Sequence, residues 1–299
     1  MGTKPSSSSS RRKFLEKIGF AGIGALSAPL VVSGGTPSDA GKTNTFVKVL
    51  TPEHKLVEID TGTLKPVPGS ADSQYPQNSG REGLKGRKFV MVIDLARCKN
   101  ERACMKACQK AHQLKPEQHH INVLEMHDEE SGLLYHMPKT CQHCDNPPCV
   151  TVCPVGATFK REDGIVLIDN ERCIGCRFCM AACPYSARTF NWTDPKDAEE
   201  YSDVPYNMEL NVPQKKGTVT KCAFSADQLR EGNLPYCVSS CPNGVYYFGD
   251  ANEDLVTNGS TRETVRLSKL LKDNAAFTLM PELGTKPSVF YLPPRQSNS

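Results

Sequence analysis

The fourteen cysteines of this 299-residue chain constrain its fold more than any other feature. A cysteine content this high indicates disulfides, zinc sites or iron–sulfur clusters, and the spacing has to decide among them. The cysteines fall into four groups, which we number I to IV in chain order. They are Cys98, Cys104 and Cys108; Cys141, Cys144, Cys149 and Cys153; Cys173, Cys176, Cys179 and Cys183; and Cys222, Cys237 and Cys241.

Group III has the Cys-x2-Cys-x2-Cys-x3-Cys-Pro spacing of a bacterial ferredoxin. In that pattern three thiolates hold one cluster and the fourth reaches a neighbouring cluster, while the proline ends the local helical turn. Group II has the same design with a longer loop before its third cysteine. Reciprocal exchange of the fourth cysteine therefore predicts two ligand sets. They are Cys141, Cys144, Cys149 and Cys183, and Cys173, Cys176, Cys179 and Cys153.

Groups I and IV each lack the cysteine of the second ligand position, where Glu101 and Ser225 stand instead. The same exchange predicts two outer sets: Cys98, Cys104 and Cys241 with Glu101, and Cys108, Cys222 and Cys237 with Ser225. Every cysteine is then used. Glu101 is either a ligand or a filler, whereas Ser225 is expected to be a filler because its hydroxyl has a very high pKa.

We therefore expect up to four clusters. The two central groups predict 4Fe–4S clusters, and the two outer sites predict 3Fe–4S clusters or atypically ligated 4Fe–4S clusters. Zinc sites would require separated pairs of cysteines, which is not the pattern here. Disulfides are common outside the cytoplasm, but thiols two residues apart seldom bridge. Haem attachment is excluded because no Cys-x-x-Cys is followed by histidine.

Three stretches carry a family resemblance: TCQHCDNPPCVTVCPVGATF, DNERCIGCRFCMAACPYSARTFNW and LGTKPSVFYLPP. They resemble the four-cluster iron–sulfur subunits of the dimethyl-sulfoxide-reductase superfamily, in particular the exported subunits of polysulfide, tetrathionate and formate-linked nitrite reductase complexes. The resemblance implies an α+β fold with two ferredoxin-like cluster-binding modules, short strands, short helices and long loops. It also implies electron transfer between a membrane quinone-reactive subunit and a catalytic subunit, often a molybdopterin enzyme. Glu101 and Ser225 depart from the family pattern.

The first 40 residues predict a twin-arginine export signal and its cleavage region. Arg11 and Arg12 precede Phe14 and Leu15, and the weakly apolar run 18–32 that follows is interrupted by glycines. We expect the mature protein in the periplasm or on the outer face of the cytoplasmic membrane. Residues 1–34 carry a net charge of +4, against +3 for the whole chain. The near-neutral remainder predicts no nucleic-acid partner.

The rest of the chain divides into three predicted parts. Residues 41–87 form a hairpin over 46–60 and a connector rich in Gly, Pro and Ser. Residues 88–250 form the tandem ferredoxin-like domain, in which strands at 88–94 and 165–169 lead into cysteine groups and a short strand follows each Cys-Pro. Residues 251–299 form a docking extension. No run of about 20 apolar residues follows the first forty, so the mature chain needs an integral membrane partner to reach quinone.

The chain carries no nucleophile–base pattern and is interpreted as a non-catalytic electron-transfer subunit of an oxidoreductase complex. Three alternatives remain open: a haem- or quinone-linked complex without molybdenum, a free soluble ferredoxin-like carrier, and a structural subunit with only the central clusters. His119 and His120 are expected in a surface loop, and Trp192 is expected to pack. Arg177 and Arg188 either tune cluster potentials or form salt bridges.

The export signal makes a direct prediction. Replacing Arg11 and Arg12 together by lysine leaves the charge of the segment unchanged but removes the arginine pair, so the protein should remain in the cytoplasm with its clusters bound. Cell fractionation with an antibody against the chain measures this, and replacing Lys13 and Lys17 by arginine serves as the control. Normal export of the double lysine variant would contradict the twin-arginine interpretation.

Overall fold

The structure is a computed structural model that describes residues 80–129, 132–195 and 204–294, and the backbone of two strands over 46–60. All of them belong to the second of the two units into which the chain divides, Thr45–Ser299. The predicted signal in residues 1–40 and most of the predicted connector lie outside the described residues.

Thirteen short strands are described, and we number them in chain order. They are β1 Phe46–Leu50, β2 Leu56–Asp60, β3 Phe89–Asp94, β4 Asn122–His127, β5 Leu134–Lys139, β6 Thr158–Lys160, β7 Val166–Ile168, β8 Thr189–Phe190, β9 Val219–Thr220, β10 Tyr246–Asp250, β11 Leu255–Asn258, β12 Thr264–Arg266 and β13 Val289–Leu292. Strands β1 and β2 pair antiparallel with Phe46 opposite Asp60.

The pairing of the strands follows the cysteine groups. The strand after each group pairs antiparallel with the strand before the next group: β4 with β5, β6 with β7, and β8 with β9. The strand after the last group, β10, pairs with β3, which precedes the first group. The predicted repeat of strand, cysteines and strand is thus closed into a ring of pairs. It confirms an α+β fold of short elements.

Six α-helices are described: α1 Ala103–Ala111, α2 Pro148–Thr151, α3 Phe178–Ala181, α4 Ala226–Arg230, α5 Tyr236–Ser240 and α6 Leu267–Asp273. The third ligand position of every group is the second residue of a helix, and each of these cysteines is buried. They are Cys104, Cys149, Cys179 and Cys237. Helix α1 packs on α5, and α2 packs on α3. The helices of groups I and IV therefore form one module, and those of groups II and III form the other.

A five-stranded sheet of order β12-β11-β10-β3-β13 supports the first module. Strand β13 is parallel to β3 and the other neighbours are antiparallel. The nearly continuous apolar run of β3 suits burial of both sheet faces, and its four central residues are buried. Met91 and Ile93 pack into the larger core with the cysteines, whereas Val90 and Val92 pack into a second core on the opposite face.

The C-terminal segment is part of this fold. Val289 and Tyr291 of β13 are fully buried, so the boundary predicted after residue 250 lies within one continuous sheet. The segment before β13 also holds the loop of group II. The backbone N–H groups of Asp145 and Asn146 donate to the carbonyls of Lys286 and Thr285 at 2.8 and 3.0 Å. Residues 251–294 thus belong to the domain, and their role in docking remains a prediction.

Among the described residues, no helix combines the length and the hydropathy needed to cross a bilayer.

Candidate metal centres

Three cavities are each lined by sulfur atoms from two different groups. Site A contains Cys98, Cys104 and Cys241 together with Glu101. Site C contains Cys141, Cys144, Cys149 and Cys183, and site D contains Cys153, Cys173, Cys176 and Cys179. In every case the last cysteine of one group joins the set of its partner group. The fold therefore assembles the sets that the spacing predicts, and metal ligation by them remains a prediction.

Site B contains the remaining cysteines. Burial raises the pKa of Cys237 well above its ordinary value, and the thiolates of Cys222 and Cys108 raise it further. Burial likewise raises the pKa of Cys108, with Cys222 the first of the neighbouring thiolates. All three side chains are buried. Site B is thus the most enclosed of the four.

The chemistry of these sets fits iron–sulfur clusters. All fourteen cysteines are free thiols in this structure. At site C, burial and the neighbouring Cys141 raise the pKa of Cys144 to about 12. Three of the four cysteines of site C are buried. Thiolates that repel one another in such a place become stable only with cations among them, and metal binding requires the deprotonated form. Iron would supply that positive charge.

Cys153 shows why proline follows the fourth cysteine. Burial opposes its ionisation, but the backbone N–H groups of Thr158, Val155 and their neighbours outweigh burial and lower the pKa. The Thr158 N–H lies 3.5 Å from the sulfur. Pro154 ends the helical turn because it has no N–H, and the chain then curls around the sulfur with its amides pointing inward. Such amides stabilise a thiolate ligand.

The four sites follow one another in the order A, B, C, D. Cys104 of site A and Cys108 of site B lie one turn apart on α1. Burial raises the pKa of Cys222 in site B, and Cys141 of site C raises it further. Burial likewise raises the pKa of Cys179 in site D, and Cys149 of site C raises it further. Each site is therefore an electrostatic neighbour of the next.

The two non-cysteine positions differ in their surroundings. Glu101 is exposed at the margin of site A, where its carboxylate accepts a hydrogen bond from Asn243 Nδ2 at 3.0 Å. Ser225 is buried, and its Oγ accepts a hydrogen bond from the backbone N–H of Tyr236 at 3.2 Å. Its left-handed backbone, with φ of 52°, immediately precedes α4. A carboxylate is thus available at site A, whereas the serine oxygen is already engaged by an amide.

The expectation of a surface loop is wrong for His120, which is buried. Its Nδ1 lies 3.8 Å from Cys108 Sγ and its Nε2 lies 2.8 Å from Thr220 Oγ1. The ligand atoms of Cys108, His112 and His120 lie within 4.8 Å of one another. The two histidines thus line site B. The sequence carried no periodic signal for this, because the loop after α1 turns back onto the site.

Trp192 packs edge-on against the Phe190 ring, with the ring centres 4.5 Å apart, but it lies at the surface. It is 65% exposed, and Phe178 and Ile174 beside the group III cysteines are 60% and 63% exposed. The Arg177 guanidinium lies over the Trp192 ring, 5.0 Å from its centre. Arg188, by contrast, is buried. The site D end is therefore apolar on its outer surface.

Comparisons with known proteins agree with this geometry. A family model described as a 4Fe-4S dicluster domain matches residues 133–199 and again 193–251. A selenate reductase subunit of Mesobacillus selenatarsenatis is 35% identical over 98% of this chain and 100% of its own length. A putative dimethyl sulfoxide reductase iron-sulfur subunit of Halobacterium salinarum is 36% identical over 68% of this chain and 78% of its own. The iron-sulfur cluster-binding subunit of menaquinone reductase from Nitratidesulfovibrio vulgaris is 36% identical over 70% of this chain and 90% of its own.

The reciprocal sets make a prediction that simple sequence proximity would not make. Cys183→Ser should damage the cluster of site C, which is otherwise held by residues 141–149, and leave site D intact. Cys153→Ser is the matched control and should have the opposite effect. Electron paramagnetic resonance of the reduced protein, together with iron content, distinguishes the two losses. Loss of the site D signal in Cys183→Ser would show that each group binds its own fourth cysteine.

Proposed function

Because the chain belongs to the iron–sulfur subunits of the dimethyl-sulfoxide-reductase family, which transfer electrons within reductase complexes, we propose that it connects a membrane quinone-reactive subunit to a molybdopterin-containing catalytic subunit. Four clusters would form the path. A bound cluster supplies reversible uptake of one electron, and the protein supplies its position, its surroundings and the contacts with the partners.

The observation that carries this proposal is the single file of four sulfur sets with both ends near the surface. Cys98 of site A is partly exposed and Cys176 of site D is exposed, whereas the three cysteines of site B are all buried. A path of this kind suits electrons that enter at one end and leave at the other. A storage site or a structural metal site would need only one opening, or none.

The two ends suit different partners. Site A is bordered by the polar side chains of Lys99, Glu101 and Arg102. Site D is bordered by exposed apolar side chains, among them Ile174 and Phe178. An apolar patch around an exposed ligand marks a protein interface. We assign the site D end to the quinone-reactive subunit and the site A end to the catalytic subunit. A free soluble carrier would have no need of the apolar patch.

The cluster types follow from the second ligand positions. At site B the missing thiolate leaves one iron corner with only Ser225 nearby, whose oxygen already accepts the Tyr236 N–H. We infer a 3Fe–4S cluster there. At site A, Glu101 offers a carboxylate, which binds iron without a large protonation cost, so the cluster is either 3Fe–4S or a carboxylate-bound 4Fe–4S. Sites C and D, with four cysteines each, hold 4Fe–4S clusters.

The location of the complex is part of the same proposal. The Arg11-Arg12 pair and the glycine-interrupted apolar run after it support export of the loaded protein to the outer face of the cytoplasmic membrane. On that face the protein meets quinone through its integral membrane partner.

The assignment of site B predicts a spectroscopic signature. A three-iron cluster is paramagnetic when oxidised, so the air-oxidised protein should show at least one such signal in electron paramagnetic resonance. Ser225→Cys should convert the site to a four-iron cluster and remove or reduce the signal, and Ser240→Cys, in the same module but away from the second ligand position, serves as the control. A protein that is silent when oxidised and unchanged by Ser225→Cys would contradict the assignment.

The assignment of the ends predicts a separation of two activities. In the assembled complex, Phe178→Glu should place a charge in the apolar patch and abolish cluster reduction by quinol, while reduction by dithionite persists. Leu134→Glu, which changes a similarly exposed residue on β5, is the control. Stopped-flow absorbance of the clusters measures both rates. Loss of the catalytic subunit from Phe178→Glu, with quinol reduction intact, would reverse the assigned direction.

A further inference from the structure

Arg188 lies between sites C and D with its guanidinium buried. It comes directly before β8 and lines the cavity of site C. Burial works against its charged form, but the thiolates of Cys149 and Cys179 outweigh burial and raise the pKa of the guanidinium. Burial raises the pKa of each of these two thiols, and the positive charge of Arg188 partly offsets that increase. One cation thus serves ligands of two neighbouring sites.

Within the described part of the chain, Arg188 has no carboxylate partner. Its Nη1 donates to Thr158 Oγ1 at 3.1 Å, and its Nη2 is buried without a nitrogen or oxygen partner. Arg161 provides the comparison, because it is equally buried and is paired with Asp163 at 2.6 Å and Glu209 at 2.5 Å. A buried arginine that serves the fold alone is neutralised by acids. Arg188 is neutralised only by cluster ligands.

Lys221 repeats this arrangement one step along the path. It is buried between sites B and C, and its Nζ donates to the carbonyl oxygens of Val166 and Cys222. Burial raises the pKa of Cys222 of site B and of Cys149 of site C, and the positive charge of Lys221 partly offsets both increases. No acidic side chain of the described residues forms an ion pair with it. The sequence of charges along the path is therefore site B, Lys221, site C, Arg188 and site D.

We propose that Arg188 and Lys221 are shared counter-ions of the clusters on either side of them and raise the reduction potentials of sites B, C and D relative to site A. Reduction adds one negative charge to a cluster, and a buried cation stabilises the reduced form more than the oxidised form. Because each cation acts on two sites, it raises both reduction potentials together and keeps the difference between the two potentials small.

This inference rests on the proposed function only for the presence of clusters in sites B, C and D, and it holds for either direction of electron flow. The sequence places Arg188 five residues after Cys183 and Lys221 directly before Cys222. Only the fold places each of them where its charge acts on thiols of a second group.

The test is a potentiometric titration of the full-length chain with its clusters bound, with dithionite as reductant and electron paramagnetic resonance as readout. Arg188→Met retains an unbranched side chain and removes the charge. The midpoint potentials of sites C and D should fall together, with site A unchanged. Arg188→Lys retains the positive charge, so it should bring both midpoint potentials most of the way back to their original values. Lys221→Met should instead lower the midpoint potentials of sites B and C and leave that of site D unchanged. The Cys153→Ser and Cys183→Ser variants assign the signals to sites D and C.

Arg177→Met is the matched control. Arg177 lies beside Cys176 of site D but over the exposed Trp192 ring, so water screens its charge and the shift should be much smaller. Fully loaded Arg188→Met and Lys221→Met proteins with unchanged midpoints would overturn the proposal, as would an equal shift at all four sites. Loss of clusters in both variants and in Arg188→Lys would show that the two cations serve assembly, which would also overturn it.

Discussion

The repulsion between buried thiolates is the constraint on which the rest of this structure depends. Sets of cysteines are brought together away from water, where burial and mutual repulsion raise the pKa of thiols such as Cys108 and Cys237. Such sets are unfavourable as bare thiolates, so a bound metal that neutralises them would couple its binding to folding. The short strands and short helices are consistent with this coupling. They have little core of their own, and each cysteine set joins segments that are far apart in sequence.

Exchange of the fourth cysteine makes the groups of each module interdependent. Because the last cysteine of each group lies in the set of its partner group, neither set is complete unless both groups are folded, and the ring of strand pairs brings the partners together. The C-terminal segment also connects parts of the chain that are distant in sequence. It adds β13 to the main sheet and holds the loop of group II through backbone hydrogen bonds. Tyr291, fully buried in β13, also accepts a hydrogen bond from Gln142 in that loop. The end of the chain is therefore a support for site C.

The side chains around the four sites change along the path in a way that suits electron transfer from one site to the next. Site A is bordered by charged side chains, sites B and C lie among buried cations and histidines, and site D opens onto apolar side chains. The middle of the path is thus shielded from water, which strengthens the effect of every fixed charge there. The ends are left to make contacts with other proteins. Two buried arginines illustrate the difference between folding and function: Arg161 is paired with two carboxylates, whereas Arg188 faces sulfur.

The sequence by itself determined the kind of cofactor, the four cysteine groups and their reciprocal exchange, because ligand spacing is a local property that one turn of backbone imposes. It also indicated the strands next to the groups and the two non-cysteine residues at the second ligand position, Glu101 and Ser225. Only the tertiary structure decided what surrounds the clusters. The burial of His120, the exposure of Trp192, the integration of residues 251–294 into the sheet, and the position of Arg188 and Lys221 between successive sites all depend on contacts between distant segments. No local pattern encodes such contacts, since they arise from how the modules pack.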